Sequence, residues 1–242
     1  MTGVTALPDD LVARLRPHAV PGRAEGERRY LRSTLQHLGV PMPRLRSTVR
    51  NFLRHHGDLD AAARLRLVPL LWERQVHELR RAAVLLLEDA ADDLDADALD
   101  LVEGLVRDAR TWALVDPLAL GVVGRIALHD DRAWQRTDRW VADDDLWVRR
   151  TALLAHLPAL RIDCVRFDPF AGHADALLDD GEFFIRKAIG WVLREVARRD
   201  AAVVTAWLEP RISRVSGVTI REAVRYLPAE DRDRLLAAHR HR

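Results

Sequence analysis

The chain has 242 residues, of which 48% are hydrophobic and 31% charged, and its net charge is +1. A chain of this length buries a large core without disulfides or structural metals, and its only cysteine, Cys164, cannot form an internal disulfide. The N-terminal residues lack a basic stretch followed by an apolar core, and the apolar run near 118–128 is too short to cross a bilayer. We therefore expect a soluble cytoplasmic protein that binds no membrane.

The nearly neutral total conceals a separation of charge along the chain. Residues 11–81 carry a net charge of +9, residues 88–108 carry −8, and residues 181–242 carry +5. Such a chain can present a basic face to a polyanion, although ordinary solvated helix faces explain the same pattern equally well. Of the 38 basic residues only Lys187 is a lysine, so the number of arginines alone says little about nucleic acid.

Apolar residues recur at helical spacing along almost the whole chain. They do so in 65–72, around 84–87, and in 184–196, whereas no segment shows the β-branched alternation of a strand. Turn chemistry interrupts these segments near 39–41, 57–58, 91–93, 143–145 and 216–217. The sequence therefore predicts an all-α protein of about a dozen short helices. Gly121 and Gly124, inside an apolar helical run, indicate close helix packing.

Paired helices recur at a spacing of roughly 40 residues, which is typical of HEAT-like repeats. Residues 79–85 and 148–154 also share a weak sequence similarity. The pattern predicts an α-solenoid with a concave basic groove, and an irregular helical bundle is the alternative. No segment has the composition of a linker, so we predict a single domain over residues 1–242.

Four residues stand out because they are chemically unusual in packed helices. Trp112 and Asp116 are one helical turn apart, and Arg150 and Trp191 lie in two further helical segments. A carboxylate, a guanidinium and two indoles would suit a cationic substrate attached to a phosphate backbone. The alternatives are structural: Asp116 followed by Pro117 has the pattern of a helix N-cap, and an isolated tryptophan such as Trp191 is more often a core residue.

These segments resemble the HEAT-like DNA alkylation repair family, the AlkD-type DNA glycosylases. The resemblance runs through most of the chain and is strongest in two C-terminal segments. Its segments are ERRYL (27–31), LWE (71–73), ELRRA (78–82), WALVD (112–116), LWVRRTALL (146–154), FFIRKAIGWVLRE (183–195) and TIREAVRYL (219–227). Residues 35–37 depart from the family, which often has aromatic residues before the Leu-Gly pair.

The resemblance implies a role for each matching residue. Asp116 would be the catalytic aspartate, Trp112 and Trp191 would contact the sugar, and Arg150 would bind a phosphate. Tyr30 matches a tyrosine of the N-terminal helix. The further candidates for DNA contact are basic residues near these positions, namely Arg149, Arg186, Lys187 and Arg194.

The implied reaction is hydrolysis of the N-glycosidic bond of N3- or N7-alkylated purines in double-stranded DNA. A fixed carboxylate would stabilise the positive charge that develops on the deoxyribose. We expect no metal, no organic cofactor and no lyase activity, and a monomeric enzyme of base excision repair. The alternatives are a non-catalytic DNA-binding HEAT-repeat protein and a protein-binding α-solenoid.

Overall fold

The computed structural model describes residues 6–57, 59–163 and 166–241, which fall into two compact units, Met1–Val122 and Val123–Arg242. Across these described ranges the regular structure is helical, and a single isolated bridge joins Gln36 to Val76. The predicted all-α class is confirmed. Cys164 and the predicted turn residue Asp58 lie outside the described residues. None of the described helices is both long and apolar enough to span a bilayer.

The first unit is built around one buried helix. Its helices are α1 (Leu7–Leu15), α2 (Arg23–Leu31), α3 (Met42–His55), α4 (Ala61–Trp72), α5 (His77–Ala90), α6 (Leu99–Ala109) and α7 (Trp112–Leu118). Helix α5 packs against α3, α4 and α7. It is buried nearly all round because residues 82–87, in its middle, are an unbroken apolar run, the pattern of a helix enclosed by its neighbours.

The second unit has a comparable central helix, α13. Its helices are α8 (Gly124–Ile126), α9 (Arg132–Trp140), α10 (Leu146–Leu154), α11 (Leu157–Ile162), α12 (Phe167–Ala176), α13 (Phe183–Ala197), α14 (Ala201–Leu208), α15 (Gly217–Ala223) and α16 (Ala229–Arg240). Helix α13 packs against α10, α11, α14 and α15. Asp145 caps α10 by accepting the backbone N–H of Trp147 at 2.7 Å.

Glycines allow the closest helix contacts. A Cβ on Gly190 of α13 would lie 2.8 Å from the Cβ of Glu222, on α15. A Cβ on Gly124 would lie 2.6 Å from the carbonyl oxygen of Ala155, and one on Gly121 would lie 2.7 Å from Cγ of Glu88. The interpretation of Gly121 and Gly124 as close-packing residues is confirmed.

A buried histidine of the second unit is held in its neutral form. His156 is 2% exposed and stacks on Trp134, with ring centroids 4.9 Å apart. Its Nε2 lies 2.9 Å from Nδ1 of His173, whose Nε2 lies 2.8 Å from Oδ1 of Asp138. Burial, followed by the charge of His173, lowers the pKa of His156 to about 3. The imidazole is therefore neutral at the pH values at which an exposed histidine becomes charged.

We expect this histidine to reduce stability in mild acid. Below pH ~6.5 the unfolded chain binds a proton at His156 that the folded chain does not bind. The free energy of unfolding therefore decreases as the pH is lowered. The loss amounts to about 2 kcal/mol between pH 7.5 and pH 5. Urea unfolding at both pH values should show a smaller loss for His156→Asn than for the wild type, whereas replacing the exposed His55 by Asn should leave the loss unchanged. Equal losses for wild type and His156→Asn would contradict the assignment.

Candidate active site

Helix α7 positions the predicted catalytic pair. Thr111 has an extended backbone, and its hydroxyl accepts the backbone N–H of Ala113 at 3.4 Å, so the helix begins at Trp112. Asp116 consequently lies in the second turn, and the alternative that it caps a helix beginning at Pro117 is wrong. Trp112 and Asp116, four residues apart, share one face of α7.

The backbone changes its helical geometry directly after Asp116. Pro117 lies inside α7 and has no N–H to donate to the preceding turn. The chain then widens into a π-turn over Ala119–Val123, and the N–H of Ala119 is shared between the carbonyls of Val115 and Asp116. Single π-turns inside helices are frequent at functional sites, so this irregularity is consistent with a functional role for the neighbouring carboxylate.

Asp116, Trp112 and Tyr30 line one cavity of about 480 Å³ within the first unit. Tyr30, on α2, is 74% exposed, and its ring meets that of Trp112 edge to face, with centroids 6.1 Å apart. Trp112 is 36% exposed, so the cavity is open to solvent on this side. The structure thus brings together three predicted site residues from two helices. The remaining lining residues are Arg23, Glu27, Leu31, Val40, Met42, Leu45, Arg46, His77, Glu78, Arg81, Ala113 and Pro117.

A buried glutamate fixes another wall of the cavity. Glu78, at the start of α5, is 1% exposed, and its carboxylate accepts the backbone N–H groups of Leu38, Gly39 and Val40 at 2.6–3.1 Å. Gly39 has a φ of 79°, in the left-handed region that glycine favours. The carboxylate therefore holds the segment before α3 in a tight conformation that places Val40 at the cavity.

Two stacked histidines lie beside this glutamate. His37 and His77 have ring centroids 4.5 Å apart and planes 7° from parallel, and each residue is 9% exposed. Burial, followed by the proximity of His37, lowers the pKa of His77 to about 4. Both rings are consequently neutral at neutral pH, because burial also lowers the pKa of His37.

Besides Arg23, which pairs with Glu27, two arginines contribute positive charge to the same cavity. Arg81 on α5 is only 7% exposed, whereas Arg46 on α3 is exposed. Burial lowers the pKa of Arg81, the charge of Glu88 raises it, and the charge of Arg46 lowers it. The cavity therefore combines the Asp116 carboxylate with two guanidinium groups that sequence analysis did not single out.

In the second unit, Arg150 and Trp191 have different environments. Arg150 is 3% exposed and donates a hydrogen bond from Nη1 to the carbonyl oxygen of Phe184 at 2.5 Å, near the start of α13. Trp191 is half-buried on α13, whereas Ala188 and Val192 beside it are core residues. Arg150 thus anchors α13, and Trp191 is partly accessible. That these two residues converge with Asp116 stays a prediction.

The neighbouring arginines Arg149 and Arg186 hold the loop before α13. Nε of Arg149 lies 3.0 Å from Oδ2 of Asp180, and its Nη1 donates to the carbonyl oxygens of Asp143 and Asp144 at 2.7 and 2.8 Å. Arg186 donates from Nε to the carbonyl oxygen of Asp180 at 2.8 Å. Both side chains therefore have structural bonds, and their predicted DNA contacts stay predictions.

Lys187 and Arg194 lie on α13. Lys187 is exposed, with its ammonium 5.8 Å from the ring centroid of Phe183, which is 51% exposed. Arg194 is half-buried and forms a salt bridge with Glu222 of α15. Of the predicted DNA-binding side chains in this unit, Lys187 therefore has the most accessible charge. In the described part of the chain, no group of three or more His, Cys, Asp or Glu side chains has an arrangement that could hold a metal.

Comparison with known proteins identifies the family of this chain. The sequence pattern of the DNA alkylation repair enzymes matches residues 11–227. The chain belongs to the DNA alkylation repair enzyme family. The family resemblance predicted from the sequence is confirmed. No curated protein sequence matches the chain.

Solved structures of DNA alkylation repair proteins share its fold. A predicted DNA alkylation repair enzyme from Enterococcus faecalis is 18% identical, with a TM-score of 0.74 over 88% of this chain and 98% of that one. AlkD2 from Streptococcus mutans is 17% identical, with a TM-score of 0.64 over 92% and 100%. The alkylpurine DNA glycosylase AlkC of Pseudomonas fluorescens, bound to DNA containing an abasic site analogue, is 16% identical, with a TM-score of 0.55 over 98% and 68%. At these identities the likeness shows the fold alone.

For this DNA alkylation repair family member, sequence analysis found the acid and the aromatic residues of the cavity but missed Glu78, His77 and Arg81. In the sequence, residues 78–82 contribute to the family resemblance but carry no predicted role of their own. The available signal was the presence of charged side chains next to the long apolar run of α5. Charged groups that are buried at the start of a helix require partners or a function.

Proposed function

We propose that the protein is a DNA glycosylase that hydrolyses the N-glycosidic bond of N3- or N7-alkylated purines in duplex DNA. The observation that carries the proposal is the shared cavity of Asp116, Trp112 and Tyr30. Asp116 is not used as a helix cap, its side chain is partly accessible, and two aromatic rings lie on the same wall. Membership of the DNA alkylation repair family supports the choice of alkylated DNA as the substrate.

The chemistry follows from the charge of the damaged base. Alkylation at N3 or N7 makes the purine cationic, so it leaves with the electron pair of the C1′–N bond as a neutral alkylpurine. The deoxyribose then carries oxocarbenium character, which the Asp116 carboxylate stabilises by its opposite charge. Water adds to C1′ and loses its proton, leaving an abasic site. The indole face of Trp112 attracts the same developing cation, an effect of about 0.5–2 kcal/mol.

The second unit supplies the remaining contacts in this proposal. Trp191 is the second indole at the sugar, and Lys187 is the phosphate contact with the most accessible charge. Phosphate contacts by Arg149 and Arg150 require these side chains to share or exchange their present hydrogen bonds to backbone carbonyls. We propose that the whole chain acts as one domain with a basic groove, as a monomer, and without a metal or cofactor.

The direct test is release of a free base. A duplex with one 7-methylguanine is incubated with the protein in EDTA, and the free base is measured by mass spectrometry. The proposal expects free 7-methylguanine above the protein-free control, and strand breaks only after alkali treatment, because the enzyme lacks lyase activity. DNA binding without release would favour a non-catalytic DNA-binding protein. Absence of DNA binding at low salt, where phosphate contacts are strongest, would favour a protein-binding solenoid.

A further inference from the structure

Arg81 differs from the neighbouring buried arginine on α5. Arg80 is 2% exposed and fully engaged, because it donates to the carbonyl oxygens of Trp72 and Asp108 at 3.2 Å and lies 2.8 Å from Oδ2 of Asp108. Arg81 is 7% exposed, and among the described residues its buried Nη1 has no hydrogen-bond partner. A buried guanidinium nitrogen without a hydrogen-bond partner is costly, and an external anion at this cavity wall would supply the missing acceptor.

Two carboxylates of the cavity wall are engaged elsewhere, and Glu88 acts on Arg81 through its charge without a hydrogen bond to Nη1. Glu27 pairs with Arg23 at 2.6 Å, and the Glu78 carboxylate receives the backbone N–H groups of residues 38–40. The exposed guanidinium of Arg46 lies close enough to repel Arg81 electrostatically. Two cations that repel each other at one cavity are both stabilised when an anion binds between them.

We propose that Arg81 and Arg46 bind a backbone phosphate of the damaged strand inside the cavity that contains Asp116. This inference rests on the proposed glycosylase function and names a second subsite of the same cavity. The planar donor fork of arginine matches the paired oxygens of a phosphodiester. The open side, beside Trp112 and the exposed Tyr30, admits the strand.

The two guanidinium groups attract the phosphate, whereas the Asp116 carboxylate of the same cavity attracts the deoxyribose as it becomes cationic. A phosphate fixed by Arg81 sets the position of the adjoining deoxyribose relative to Asp116. Arg81 is thus a positioning residue for the reaction, because it acts through the phosphate.

Neutralising single phosphates tests this contact without requiring chemistry. Duplexes contain an abasic-site analogue and one methylphosphonate, placed in turn at each position around the lesion, and the dissociation constants of wild type and Arg81→Met are measured. We expect Arg81→Met to weaken binding of the fully charged duplex by about 10-fold and to lower the salt slope by about one. On the duplex whose neutral linkage replaces the bound phosphate, wild type and variant should bind equally. The exposed Arg50, outside the cavity lining, provides the control: Arg50→Met should show no such position-dependent loss.

Folding of the variant is checked by thermal unfolding. Because Nη1 of Arg81 has no hydrogen bond to lose, Arg81→Met should lower the melting temperature less than Arg80→Met, which should lower it by roughly 5 °C because the Arg80 bonds are lost. A melting temperature lowered equally in both variants, with the same affinity loss on every duplex, would show that Arg81 is only structural.

The two proposals fail in different ways. If 7-methylguanine is released but the effect of Arg81→Met is the same on every methylphosphonate duplex, the phosphate subsite is wrong and the glycosylase proposal stands. If the affinity loss caused by Arg81→Met disappears on one methylphosphonate duplex but no base is released, the phosphate subsite is supported and the glycosylase proposal is wrong.

Inorganic phosphate is the other source of the same oxyanion. If it stabilises wild type but not Arg81→Met, and no single DNA phosphate matters, the ligand is a small oxyanion and the DNA subsite is overturned. Failure to bind DNA at low salt overturns it as well.

Discussion

Replacing Asp116 by asparagine should lower the rate of 7-methylguanine release by at least about 100-fold, because the variant loses the negative charge that stabilises the oxocarbenium-like transition state. Asparagine has nearly the same size and shape, and Thr111 rather than Asp116 caps α7. The fold and the affinity for DNA with an abasic-site analogue should therefore change little. Single-turnover release with excess protein measures the chemical step, and a binding titration measures the affinity.

The control for this prediction is a charge change away from the cavity. Asp100 is exposed on α6 of the same unit and does not line the cavity, so Asp100→Asn should release base at the wild-type rate. Equal rates for Asp116→Asn and the wild type would remove the carboxylate from the mechanism. A loss of DNA binding in parallel with the loss of release would instead assign Asp116 a role in binding the substrate.

The sequence predicted the helical architecture well because helical periodicity is a local property. The helical spacing of apolar residues in 184–196 predicts a buried face on α13, and Ala188, Val192 and Val196 are buried there. Trp191 lies at the edge of that face, beside the exposed Lys187, and is only half-buried. Helical periodicity therefore identifies the core residues of α13 but not how deeply the residues at the edge of the buried face are buried.

The start of α7 shows where local signals compete. The Asp116–Pro117 pair has the pattern of an N-cap and a first helical residue, and Thr111 is also a residue type that caps helices. The structure uses Thr111 and tolerates Pro117 inside the helix, with a π-turn directly after it. Packing of α7 against α5 and α6 contributes to this outcome, and such tertiary contacts are not visible in a window of ten residues.

The polar part of the cavity was beyond local prediction for a related reason. The partners of Glu78 are backbone groups about 40 residues earlier in the chain. The sequence shows a glutamate beside an apolar run but does not show which N–H groups surround it. Likewise, the contrast between Arg80 and Arg81 depends on which neighbours each guanidinium reaches, not on residue type.

We expect Glu78→Ala to lower the free energy of unfolding by about 3–5 kcal/mol, the largest stability effect among the substitutions considered. The carboxylate accepts three backbone N–H groups in a site that is 1% exposed, and alanine leaves these donors without an acceptor. Because folded domains are stable by only about 5–15 kcal/mol, the variant should be close to unfolding at 37 °C. Urea unfolding at pH 7 measures the change.

Two further variants separate the charge of Glu78 from its shape. Glu78→Gln keeps one acceptor oxygen but directs an NH₂ group towards N–H donors. Its free energy of unfolding should therefore lie between that of the wild type and that of Glu78→Ala. Glu73, exposed just after α4, should tolerate alanine with a change below about 0.5 kcal/mol. A Glu78→Ala variant within 1 kcal/mol of wild type would mean that water replaces the carboxylate at the N–H groups of residues 38–40.

Because Val40 and Glu78 both line the cavity of Asp116, we expect the same variant to reduce base release even at temperatures where it remains folded.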